Sequence, residues 1–432
     1  MPNGNPRRRE FFLAIACCVL SSFLFPQLFA SQHPPSPKLL KDYRRGNRGV
    51  IEQTWDGKYL LVHRVLRRKR PKDESAPFED RRIQRLAMVE SSTGRVIARV
   101  EYTEEFNSEY RIRPGSSEVI LSNLRLVKPE KGKGAWLWDP DSNTVRSLAG
   151  VIPDRFVFLR FLDGNRMLGR YDPGGDSEQV MAEVNLGSGV FSEWSIKSNS
   201  FRRTDYALLT ADGESILHIA KGQIIKRSIH EKADPEIVLS IEGEKIENFQ
   251  YAQSHQWLIV VSWSEKQGAY DDVGDFLDTR AMKAYLSIYE RESMRLLSRK
   301  RLFQNEETVD RVALLTRVRY KDGELEHLGY QLQLSPDDRF ALVSYVRIDS
   351  AIGVLGIQRE QPRYAIHLLS SGEGVGLARH PPTTFWESGW VSVSPMTAVR
   401  PFFSPDSKIL YTTTGRFTRK WDVSQLKGTD QK

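Results

Sequence analysis

Cysteine is almost missing from this chain. Of 432 residues only Cys17 and Cys18 carry a thiol, and both lie in one N-terminal apolar run. A mature chain without that run has no disulfide, no thiolate nucleophile and no zinc–thiolate site. Catalytic signatures are missing as well: there is no Gly-x-Ser-x-Gly elbow, no His-Glu-x-x-His pair and no phosphate-binding loop. The eight histidines, at 33, 63, 218, 230, 255, 327, 367 and 380, never fall at metal-ligand spacing. His63, His218 and His367 sit in strand patterns and read as structural. After residue 30 no stretch is long and apolar enough to span a bilayer. The formal net charge of +8 is too mild to mark a nucleic-acid binder.

The N-terminus is rich in what the rest lacks. Arg7, Arg8 and Arg9 precede an uncharged run over 11–30 that ends on Ala30, followed by the polar, Pro-rich segment 31–37. A basic start, an apolar centre and a small residue at the end describe an export signal, with cleavage expected after Ala30. An uncleaved membrane anchor and a buried core helix are the competing readings. Arg8, Arg9, Phe11 and Phe12 also resemble a twin-arginine export signal. The expected location is periplasmic or secreted.

A turn opening into an apolar strand recurs through the remainder. Its clear copies place Asp56, Asp163, Asp212, Asp337 and Asp406 in the turn, and weaker copies centre on Gly115 and His255. The mean spacing is about 58 residues, and each interval holds a second pair of β-rich runs, so each repeat predicts four strands. The last repeat is one strand short, whereas Lys38–Arg44 has no repeat of its own. The expectation is an all-β, seven-bladed propeller of four-stranded antiparallel blades over 38–425. The N-terminal strand closes its last blade, and 426–432 form a tail. A pair of β-sandwich domains is the alternative.

Ser335-Pro-Asp337 and Ser404-Pro-Asp406, with the Trp-Asp pairs at 138–139 and 421–422, resemble the WD40-like propeller family. The Asp-Gly turns are similar to those of TolB-type periplasmic propellers. The resemblance covers roughly 38–425 and implies a propeller fold with an interaction-type function.

Candidate sites fall outside the repeat. Asp271, Asp272, Asp275 and Asp278 cluster in the longest interval and could hold Ca²⁺, though not at EF-hand spacing, so a solvated loop is expected. The basic stretch Arg64–Lys72, with Arg67, Arg68 and Arg70, suits an anionic lipid, polysaccharide or acidic protein, or is a solvated hairpin loop. Trp386 and Trp390 lie on the connector to the last repeat, as binding anchors or as packing between blades. The functional expectation is a monomeric binding or scaffolding module of the cell envelope. Its partner is a protein or polysaccharide, and it has no cofactor and no catalysis of its own. The alternative is a propeller enzyme, lactonase-like or quinoprotein-dehydrogenase-like, with a metal or cofactor at its central channel.

Overall fold

The repeated turn closes through its own side chains. Thr54 Oγ1 donates to Asp56 Oδ1 at 2.7 Å, Thr210 to Asp212 at 2.6 Å, Ser335 to Asp337 at 2.7 Å and Ser404 to Asp406 at 2.6 Å. Each hydroxyl also accepts the backbone N–H five residues on, at 2.9–3.0 Å. Each carboxylate accepts the N–H two residues on, at 3.0–3.2 Å. Short polar side chains thus satisfy the backbone where the chain reverses. The hydroxyl bond is also the first cause holding the Asp212 and Asp406 carboxyls below their ordinary range.

The computed structural model describes residues 38–43, 48–67, 82–127, 133–174, 178–197, 208–210, 212–230, 233–265, 276–277, 282–302, 312–313, 319–321, 324–327, 331–349, 359–370, 374–376, 383–384, 401–414 and 417–426. They form seven four-stranded antiparallel blades in a ring, the expected propeller.

From inner to outer strand, blade 1 is Arg48–Gln53, Tyr59–Arg67, Arg82–Glu90 and the first part of Val96–Ile112. That long strand runs on to become the inner strand of blade 2, followed by Val119–Leu126, Lys133–Asp139 and Thr144–Ser147. Blade 3 is Phe156–Phe161, Arg166–Tyr171, Val180–Asn185 and Phe191–Lys197. Blade 4 is Leu208–Leu209, Ser215–Ala220, Gln223–Ser228 and Glu236–Leu239. Blade 5 is Lys245–Ala252, Trp257–Glu265, Met282–Glu290 and Leu296–Arg301. Blade 6 is Gln331–Leu334, Phe340–Asp349, Arg359–Leu368 and Gly374–Gly376. Blade 7 takes Phe402–Phe403, Ile409–Thr414 and Phe417–Asp422 from the C-terminus and Lys38–Tyr43 from the N-terminus. Lys38 stands opposite Asp422 and Tyr43 opposite Thr418, so the two ends of the chain close the ring.

Seven apolar clusters fill the seven seams between blades. Leu61, Leu86 and Met88 of blade 1 meet Val119, Leu121 and Trp138 of blade 2. Ile259, Val261 and Trp263 of blade 5 meet Leu332, Ala341 and Val343 of blade 6. Alternation makes this possible: successive strand residues point to opposite sides, and both sides of a blade face a neighbour. Among the described residues the closing seam is the thinnest. Its buried members are Val50, Leu60, Phe402 and Tyr411, with Val62 and Ile409 at the margin.

The turns stitch neighbouring blades together. Asp338 takes φ 54° and Ser407 φ 57°, where the equivalent Gly57 and Gly213 take 74° and 77°. A side chain in this region costs about 1–2 kcal/mol, and both side chains are used. The Asp338 carboxylate accepts from Ser254 N and Oγ of blade 5 at 2.8 and 2.9 Å. Ser407 Oγ accepts from Asp337 N of blade 6 at 3.1 Å. The weaker repeat at His255 forms a 3-10 turn over Gln253–His255.

Candidate functional face

Antiparallel blades give the ring two unlike faces. Among the described residues one, the turn face, carries the inner-to-second turns and the third-to-outer hairpins, such as 54–58, 91–95, 140–143 and 335–339. These connections are short and locked by their own hydrogen bonds. The opposite face receives every second-to-third connection and every passage from blade to blade. In the sequence the intervals between strands that end and begin there include the long ones, such as 68–81 between Arg67 and Arg82 and 266–281 between Glu265 and Met282. This is the loop face.

Asp271, Asp272, Asp275, Asp278, Trp386, Trp390, Arg68 and Arg70 lie outside the described residues. The strand ends that bracket the basic and acidic segments do not: Arg67 and Arg82 in blade 1 and Glu265 and Met282 in blade 5 end at that face. The described strand ends on either side of the basic and the acidic segments thus lie at one face of the ring. The described structure holds no group of three or more His, Cys, Asp or Glu residues placed to bind a metal ion. The basic stretch is not a loop from its start, because Arg64 to Arg67 continue the second strand of blade 1, with Arg67 opposite Arg82.

Blade 1 carries polar groups on both sides below this face. Toward blade 2, His63 Nε2 bonds Gln84 Oε1, which also accepts from Tyr102 Oη at 3.4 Å. The His63 ring lies 6.1 Å from that of Tyr110 and 6.4 Å from that of Tyr102. Gln84 and both tyrosines are buried, so this cluster belongs to the seam.

Toward blade 7 the pattern is different. Arg48 is in register with Arg64, Arg64 with Arg85, and Arg85 with Glu101. Four strands thus contribute three arginines and one glutamate to one row. Arg85 Nε donates to Glu101 Oε1 at 3.1 Å. Arg64 is half-buried and has no hydrogen-bond or ion-pair partner among the described residues.

The other strand histidines are where the sequence places them, within blades. His218 is buried in the second strand of blade 4, on the side turned to blade 3. Burial, and then the nearby Arg227 guanidinium, push its pKa down from 6.5 to about 4. The unfolded chain binds a proton there at higher pH than the folded one. Stability is therefore full above about pH 6.5 and falls as pH drops toward 4, by a total on the order of 3 kcal/mol. Urea unfolding across this range should show the slope, and His218→Gln should flatten it. An unchanged slope in the variant would assign the dependence elsewhere.

Solved structures share the architecture. An oligogalacturonate lyase in complex with manganese matches at 12% identity and TM-score 0.51, over 92% of this chain and 96% of that one. The oligogalacturonate lyase of Vibrio parahaemolyticus matches at 10% identity and TM-score 0.50, over 91% and 93%. TolB from Acinetobacter baumannii is 12% identical over 86% and 82%, at a TM-score of 0.34 that carries no argument. At these identities the likeness shows the fold alone. No family model matches the chain, and no curated protein matches it in sequence. The resemblance to WD40-like and TolB-type proteins therefore stays at the level of the repeat and the ring.

Proposed function

We propose that the protein is an exported binding or scaffolding module that engages an anionic polysaccharide or an acidic protein of the cell envelope through its loop face. The observation that supports this reading is the division between the faces. The turn face is closed by short turns bonded to themselves and to neighbouring blades. The long interval rich in Arg68, Lys69, Arg70 and Lys72 joins two strand ends, Arg67 and Arg82, at the loop face. Variable connections on a rigid scaffold are where binding residues concentrate, and clustered basic groups attract anionic partners.

Residues 68–81 can be replaced by a short Gly-rich turn, because Arg67 and Arg82 face each other in register. Binding of the natural and replaced proteins is then measured on arrays of acidic and neutral polysaccharides and on acidic envelope proteins. A turn-face variant, Trp55→Ser, is the control, since Trp55 is 62% exposed on the far side of the ring. The expected result is that the loop replacement abolishes binding and the Trp55 variant keeps it. The reverse pattern would overturn the reading. So would a stoichiometric metal or chromophore in protein isolated from its native compartment, or turnover of oligogalacturonate with manganese, either of which would favour a propeller enzyme.

A further inference from the structure

We infer that the closing seam between blades 7 and 1 holds an oxyanion site at its loop-face end, built on the register partners Arg64 and Arg85. This inference does not depend on the binding-module reading. Like charges directly opposite each other on adjacent strands are destabilising. Here Arg64 has Arg85 in register on the neighbouring strand. The one acid in the row, Glu101, is at its outer end and is engaged by Arg85. Arg64, in the middle and half-buried, has no partner among the described residues.

The row also lies where the ring has least apolar support. On the same side of blade 1, Val50, Leu60 and Val62 continue it toward the turn face and form the thin closing cluster with Phe402 and Tyr411. Blade 7 offers hydroxyl chemistry across the seam: Thr418 is buried, and its Oγ1 accepts from Val50 N at 3.2 Å, two residues from Arg48. A phosphate, sulfate or carboxylate group against Arg64 would turn repulsion within the row into charge-assisted hydrogen bonding. Because the row lies on the closing seam, such a ligand would also stabilise ring closure.

The test is thermal unfolding of the natural protein and of Arg64→Gln, in chloride and in inorganic phosphate at matched ionic strength. The natural protein should show a saturable rise in midpoint of about 2 °C or more with phosphate. Arg64→Gln should melt about 1 °C higher than the natural protein in chloride and lose the phosphate-dependent rise. Titration with polygalacturonate at equal charge concentration separates the sources. Saturation at lower concentration with the polymer, lost in Arg64→Gln, assigns the group to an acidic polysaccharide. Saturation by inorganic phosphate alone, likewise lost in the variant, assigns a free ion. Three outcomes would overturn the inference. The variant could melt lower in chloride or fail to fold, the two proteins could rise equally, as for a general salt effect, or neither could respond.

Discussion

Removal of residues 38–43 should lower the unfolding midpoint by about 5 °C and cost on the order of 3–5 kcal/mol. This segment is the outer strand of blade 7, paired from Lys38 opposite Asp422 to Tyr43 opposite Thr418. Its loss leaves Phe417–Asp422 as an unpaired edge, a template for pairing with another chain. It also leaves the ring resting on its thinnest seam, where Val50, Leu60, Phe402 and Tyr411 are the buried members. Calorimetry reads the first effect and light scattering the second. The truncated protein should aggregate at temperatures where the natural protein stays monodisperse. A midpoint within about 1 °C of the natural value would mean that closure does not rest on this strand.

A single methyl group should do comparable damage in blade 3. Gly169 is buried in the second strand, beside a register shift between Leu168 and Gly169. A Cβ at this position would meet the Phe156 ring at 2.2 Å and the Val157 carbonyl oxygen at 2.6 Å. The ring could swing only by disturbing the seam it fills with Met167, Ala182 and Val184. The carbonyl is backbone of the inner strand and cannot yield without moving it. Gly169→Ala should therefore cost about 2–4 kcal/mol in equilibrium urea unfolding. The wide-open turn glycines, such as Gly94 and Gly115, have nothing within 4 Å of such a Cβ. Substitution there strains only the local backbone, at positive φ. A loss below about 0.5 kcal/mol for Gly169→Ala would show that the strand is free to shift.

What could be read from the sequence was local chemistry and its repetition. Thr210 and Asp212, or Ser404 and Asp406, sit close enough along the chain that their turn is visible in the residue types. Their spacing gave the blade count, and a final repeat one strand short pointed to the strand at Lys38–Tyr43. The ring in the structure agrees with both.

Relations between strands were not legible. Arg48, Arg64 and Arg85 lie on three strands and meet only through the pairing register. That register is altered between Val50 and Glu52 by an extra residue, which no periodicity announces. Arg64 stood out as the start of the basic stretch Arg64–Lys72, which read as a patch for an anionic partner or as a solvated hairpin loop. The strand in fact continues to Arg67. Gly169 was equally silent, since its role depends on the Phe156 ring across the sheet. The face assignment could not be made until the strand order was known. Only then did the strand ends at Arg67, Arg82, Glu265 and Met282 prove to lie at the same face.

Two distinct faces and a seam between blades 7 and 1 exist only because the two ends of the chain close the ring. A cysteine pair tests that closure directly. Lys41 and Lys420 are register partners across the closing strands, a separation that a disulfide can span. In a chain whose Cys17 and Cys18 are removed, Lys41→Cys with Lys420→Cys should cross-link within one molecule under mild oxidation. The cross-linked protein should unfold at a higher midpoint than its reduced form. Failure of the folded protein to form the bond, or its formation only between molecules, would contradict the closed seven-bladed ring.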